Sequence, residues 1–312
     1  MKPTPIYQLP AWLVVLFVAT CGSGLLAQQR HAIDSSKVDA AIGGKGAWIE
    51  SEGVYKVTFP RTDVPIAVGG RKMEPFMGFT SWAAFQPGKA AEAMVMGDLV
   101  LFEDEVNPVM SALLGAGVAV TALHNHFFFD QPKVYFLHVG GEGKAEALAA
   151  GVKKGLDAAR HVRANTPQPA TTFGSKSVPT TNAITADKLD AILGVKGQSK
   201  DGMYKAVIGR TVKMACGCEV GKEMGVNTWA AFAGADDAAL VDGDFAVLEG
   251  ELQAVLKALR RANVNIVAIH HHMVGEAPRM LFLHYWGVGP ATELARGVRA
   301  ALDTQGTMPR LP

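Results

Sequence analysis

Apolar and polar positions along the chain follow two periods that alternate. Residues 54–59, 79–85 and 93–102 are rich in β-branched and aromatic residues, which predicts strands. Between residues 105 and 116 the apolar positions fall at Val106, Val109, Met110, Leu113 and Leu114. That spacing makes one stripe of a helix, closed by Gly115 and Gly117. A short helix is predicted over 35–42, and a longer one over 144–160 with Leu148, Val152, Leu156 and Ala159 on one face. Corresponding helices are predicted over 251–262 and 290–302.

The pattern occurs twice. Residues 97–143 align with 243–289 without a gap, and Trp82-Ala83-Ala84-Phe85 is echoed by Trp229-Ala230-Ala231-Phe232. A period this long describes a duplicated domain rather than a solenoid. Strands interrupted by helices that cover one face predict an α+β fold: two tandem repeats of one domain, each a mainly antiparallel sheet covered by helices. The expected boundaries are a leader at 1–27, a first repeat at 28–164, a linker at 165–182 and a second repeat at 183–312. The linker is read as exposed because Pro, Thr and Ser dominate it and no apolar period survives.

Within the repeats, residues 118–141 and 264–287 carry histidines in register. His124, His126 and His138 fall on His270, His272 and His284, in the pattern H-x-H-x11-H both times. Each stretch reads as strand, turn and strand, with the turn near Pro132 or Pro278. Period-two alternation points His124 and His126 the same way. A turn centred at Pro132 would set His126 opposite His138, with Cβ atoms roughly 4.5 to 5.5 Å apart. Three converging imidazoles suit a transition metal, namely zinc, copper or iron. A hydrogen-bonded structural cluster, duplicated with the domain, would leave the same trace. His271 replaces Asn125 and is expected on the opposite face.

Glu103 and Glu249 match between copies and are candidates for a catalytic base or a further ligand. Acidic residues in the first turn of a helix also serve its dipole, a reading that applies more strongly to Glu105 and Glu251. Asp130 and Glu276 are expected to bond turn amides, and Trp82, Trp229, Phe85 and Phe232 to anchor the core. Gly140 to Gly143 reads as a glycine-rich turn between strand and helix, a weak anion site. No nucleophile elbow, Walker loop or dinucleotide fingerprint occurs.

Composition and the first residues add an address. A formal net charge of +1 gives no reason to expect nucleic acid as a partner. Lys2, the apolar run at 11–19 and the small residues ending at Ala27 describe a secretory signal, so the mature protein is expected to be secreted or periplasmic. Cys21 lies in an imperfect lipoprotein box, and a membrane is expected as a partner only if that cysteine is acylated. Cys216 and Cys218 form a Cys-Gly-Cys triplet readable as a local disulfide, a soft ligand pair or two thiols.

The His-x-His hairpin followed by Phe-Leu-His, the Trp-Ala-Ala-Phe echo, the duplication and the leader together resemble the LppY/LpqO family of bacterial extracytoplasmic proteins, some of them lipoproteins. The resemblance implies a secreted location and a repeated domain of unknown function, and supplies no activity. The expected function is extracytoplasmic binding of a metal ion in each repeat, with metal-dependent catalysis as one outcome. The alternative is a non-enzymatic module that binds a metal or a small-molecule ligand, and a further one is a purely structural envelope protein.

Overall fold

The computed structural model describes residues 33–174 and 177–306. The leader, with Ala27 and Cys21, lies outside the described residues. The first repeat runs α1 (Ser35–Ile42), β1 (Ala47–Ile49), β2 (Val54–Pro60), β3 (Ile66–Val68), β4 (Arg71–Met73), β5 (Thr80–Pro87) and β6 (Ala93–Phe102). It continues with α2 (Glu103–Gly115), β7 (Ala119–His124), β8 (Asp130–Gln131), β9 (Val134–Gly143) and α3 (Ala145–Asn165). The second runs α4 (Ala186–Leu193), β10 (Gln198–Lys200), β11 (Met203–Gly209), β12 (Val212–Lys213), β13 (Glu219–Val220) and β14 (Asn227–Ala235). It ends with β15 (Ala238–Leu248), α5 (Leu252–Arg261), β16 (Asn265–His270), β17 (Met280–Gly289) and α6 (Ala291–Leu302).

Local chemistry explains the helix ends. The Asp34 carboxylate accepts from the amides of Ser36 and Lys37 to start α1, and Gly43 ends it at φ 74°. At the start of α2 the Glu105 carboxylate turns back to accept from the Phe102 amide at 2.9 Å, and Glu251 does the same for Leu248. Both glutamates also meet arginines. Glu105 is fully buried and paired with Arg61 and Arg163, while Glu251 pairs with Arg210. Capping was legible in the sequence, but the buried ion pair was not.

The two repeats share one antiparallel sheet of 12 strands, ordered β1-β2-β5-β6-β9-β7-β16-β17-β15-β14-β11-β10. The six α-helices of the described residues pack on one face, where alternate residues such as Val95, Leu99, Phe245 and Val247 enter the main core. On the other face a short sheet, β4-β3-β8, covers Val100, Phe102, Val134 and Phe136. The β12-β13 pair does the same for Ala246, Met280 and Phe282. On this same face the side chains of Trp82, Trp229, His138 and His284 stay partly exposed.

Little direct pairing holds the repeats together at the seam, where β7 and β16 meet at Leu123 and Ile269. Reciprocal side-chain bonds do more. Asn107 of α2 donates to Ile266 O at 3.2 Å and accepts from Ile266 N at 2.8 Å. Gln253 of α5 donates to Val120 O at 2.7 Å and accepts from Val120 N at 3.0 Å. Each amide thus stands in for a missing neighbouring strand and satisfies backbone groups that would otherwise be buried without partners. The linker is mostly exposed but is pinned by Ala170 N to Asp104 and by Phe173, which stacks on Trp286 at 5.0 Å.

Asn107→Ala removes both bonds to Ile266 in a buried setting and should lower stability by about 2 kcal/mol, with Gln253→Ala, at a less buried site, costing about half as much. Equilibrium urea unfolding measures both. An unchanged midpoint for Asn107→Ala would show that the seam does not depend on this amide.

Candidate metal centre

The register of the long strands builds the site. In β6 and β9 Asp98 lies opposite His138, and in β15 and β17 Asp244 lies opposite His284. The next strand on each side adds Trp82 beside Asp98 and Trp229 beside Asp244. Period-two alternation places all of these on the face away from the helices. His124 and His270 end β7 and β16, and each ring turns back toward the cluster.

The imidazoles converge in both copies. His124 and His138 bring their Nε2 atoms to 3.0 Å, and the His124 and His126 rings are 5.2 Å apart. In the second repeat the His270 ring is 4.8 Å from that of His284 and 5.0 Å from that of His272. The expected pairing of His126 with His138 is not the one formed. Ala122 stands opposite His138 and His124 opposite Phe136, because the connection is centred near Asp130 rather than Pro132 and β7 ends at His124; a bulge between Val120 and Ala122 shifts the register by one residue. His126 and His272 therefore belong to the following loops, where each ring stacks on a phenylalanine, at 3.3 Å on Phe136 and 3.5 Å on Phe282. His126 and His272 reach their clusters by stacking, whereas strand register places the other donors.

Sequence reasoning missed the carboxylates at the centre. Asp244 is 3% exposed, and its ligand atom lies with those of His270 and His284 within 4.8 Å of one another, a grouping able to hold a metal ion. His272 Nε2 approaches Asp244 Oδ2 at 3.2 Å. Asp244 Oδ1, Asp98 Oδ1 and His270 Nε2 are buried and have no hydrogen-bond partner among the described residues. Buried polar atoms without partners are rare and costly, so their presence within the two clusters fits a group that would bind them. The signal was present: Gly97-Asp98 and Gly243-Asp244 match between copies, a carboxylate at the same place in each long strand.

Burial shapes the electrostatics. It pushes the carboxyls of Asp98 and Asp244 up, against the pull of three nearby imidazoles in each case. It pushes His270 and His126 down, which favours the neutral imidazole that a metal requires.

The two sequence-predicted glutamates sit apart from the clusters. Glu249 is exposed and pairs with Arg279 at 3.3 Å. Glu103 is exposed at the start of α2, on the wall of a cavity at the seam, where local burial raises its carboxyl against the opposing pull of Lys133. Asp130 and Glu276 bond the amides of Val134 and Met280. His271 is exposed, with Arg279 Nη2 at 3.3 Å.

Two further expectations are corrected. Trp82 and Trp229 are half-buried on the uncovered face, beneath Lys56 and Lys205, because their side of the strand faces away from the helices. Phe85 and Phe232 are in the core. Gly140 to Gly143 lie within β9, since pairing with β6 carries the strand through Gly143 and leaves no turn there. Cys216 and Cys218 are exposed free thiols in the turn between β12 and β13.

Architecture and site together define a duplicated α+β domain whose halves share one sheet and carry one His/Asp cluster each. The chain belongs to the family described as a Domain of Unknown Function (DUF1259), which matches it twice, over residues 36–158 and 187–304. No curated protein matches the chain. Among solved structures it aligns with a trimeric bacterial microcompartment shell protein, PduB, at 12% identity over 83% of this chain and 89% of that one. The TM-score of that alignment is 0.18, which supports no argument about fold or function.

A pH prediction follows from His270. Its proton affinity is depressed in the fold, so its contribution to stability is present above the ordinary value of 6.5 and is lost as pH falls through the lowered one. Chelator-treated protein should therefore lose stability between neutral pH and pH ~5, and His270→Gln should lose less. Urea unfolding at the two pH values tests this, and equal losses would refute it.

Proposed function

We propose that the protein is an extracytoplasmic metal-binding protein with one transition-metal site in each repeat. One observation carries the reading: Asp244, His270 and His284 each offer a donor atom within 4.8 Å of one another, and Asp244 and His270 each keep a buried polar atom without a partner among the described residues. Asp244, His270 and His284 would hold the ion in the second repeat, with His272 at the rim as a fourth donor. Asp98, His124, His138 and His126 are their counterparts. Two imidazoles and a carboxylate suit non-haem iron as well as zinc, and histidine-rich sets also take copper. Such an ion supplies Lewis-acid or redox chemistry when bound.

The leader and the likeness to LppY/LpqO proteins support placement outside the cytoplasm, with Cys21 as the point of membrane attachment if it is acylated. Among the described residues no helix is long and apolar enough to cross a membrane. A second reading, binding without catalysis, is favoured by Glu249, whose carboxylate pairs with Arg279 rather than with an imidazole. On that reading the sites store or deliver a metal.

Elemental analysis of residues 28–312, purified from a periplasm without a metal-binding tag, should find two equivalents of a transition metal per chain. Asp244→Ala with His284→Ala should remove one equivalent, and Asp98→Ala with His138→Ala the other. Protein that stays metal-free after reconstitution with zinc, copper and iron would overturn the proposal.

A further inference from the structure

A cavity of about 540 Å³ opens at the seam and reaches the second metal cluster, because His284 is one of its walls. That volume falls within the range of small-molecule sites. Its chemistry is one-sided. Trp229, Trp286, Phe173 and Tyr135 supply aromatic surface, while Asp242 and Glu103 supply carboxylates. No lysine or arginine is among its lining residues. Among the described residues neither carboxylate makes an ion pair at contact distance, although Lys133 acts on Glu103 from farther off, and both side chains are exposed. Lys205 does approach this wall, 4.3 Å above the Trp229 ring, but it does not line the cavity.

The cavity is also specific to one copy. Where the second repeat has Trp286 and Asp242, the first has Gly140 and Met96 at the aligned positions, while the histidines and aspartates of the cluster are the same. Two features hold the distinctive wall in place. Phe173 of the linker stacks on Trp286, and the Tyr285 hydroxyl passes over Gly243 to donate to Trp229 O at 2.9 Å. A Cβ at Gly243 would meet the Tyr285 ring at 2.2 Å, so that approach requires glycine. Aromatic faces attract cations through the ring quadrupole, and unpaired carboxylates at the same wall add to the attraction.

We infer that the seam cavity is a binding site for an organic amine with an aromatic or apolar body, presented to the second cluster past His284. Recognition of the amine stands on the cavity itself; only its presentation to a metal rests on the function proposed above. The positive end is drawn to Asp242 and Glu103, and the body lies against Trp229 and Trp286. The same wall disfavours carboxylates and phosphates, which would meet two like charges and no basic side chain among the lining residues.

The test titrates residues 28–312 with 2-phenylethylamine and with 3-phenylpropionate, ligands of similar shape and opposite charge, by calorimetry and tryptophan fluorescence. The amine should bind once per chain, at least about tenfold more tightly than the acid. Trp286→Gly and Asp242→Asn, each two residues along the strand from a proposed metal ligand but not itself one, should each weaken it by about tenfold or more. Trp82→Ala in the first repeat should leave it unchanged. Unfolding midpoints and metal content of each variant report whether the fold and the clusters survive the substitution. Equal affinity for the acid, or unchanged amine binding in a folded Trp286→Gly, overturns the site. Amine binding by protein that holds no metal upholds it and counts only against the metal reading. No amine binding by fully metal-loaded protein overturns it and leaves that reading intact.

Discussion

A carboxylate held opposite an imidazole, on a sheet face that no helix covers, is the constraint around which this molecule is arranged. Asp98 with His138 and Asp244 with His284 are cross-strand partners in the two longest antiparallel pairings of the sheet. Such a carboxylate is costly to bury without partners, and the raised proton affinities of Asp98 and Asp244 record that cost. The surroundings answer with three imidazoles in each copy, two reached through the strands and one through a loop braced on a phenylalanine. Helices take the opposite face, and the small β-layers take the strand ends, so Trp82, Trp229, His138 and His284 stay partly exposed.

Fusion of the repeats then breaks their equivalence. The strand order reads the same from either edge, and Asn107 and Gln253 exchange equivalent bonds across the seam. Near-symmetric bonding of this kind orients the halves without a long β7–β16 ladder, which would have closed the gap between them. The space that results is lined from both sides, by Glu103 and Asn107 of the first repeat and by Trp229, Asp242 and Trp286 of the second. A duplicated His/Asp cluster and a seam cavity lined by both repeats are therefore consistent features of one architecture.

Much of the fold was legible in the chain. The strand at Ala93–Phe102, the helix at Ser35–Ile42 and the closing helix at Ala291–Leu302 lie where apolar period and caps place them, within a residue. The site was legible as chemistry more than as geometry. Six matched histidines indicated two clusters, and the structure brings each set of three rings together. Asp98 and Asp244 escaped notice because a charge in an apolar strand has no local meaning until the residue across from it is known. Glu105 was legible as a helix cap and illegible as the buried partner of Arg61 and Arg163, which are distant in sequence.

What the sequence by itself determined was the period of each element, the duplication and the donor types available, since these depend on residues close together along the chain. Tertiary structure alone decided which donors meet. A connection centred near Asp130 set His138 against Ala122, the covered face of each strand turned Trp82 and Trp229 outward, and the fusion of two sheets made the seam cavity. Each of these depends on register and packing between segments far apart in sequence, where a shift of one residue exchanges the two faces of a strand.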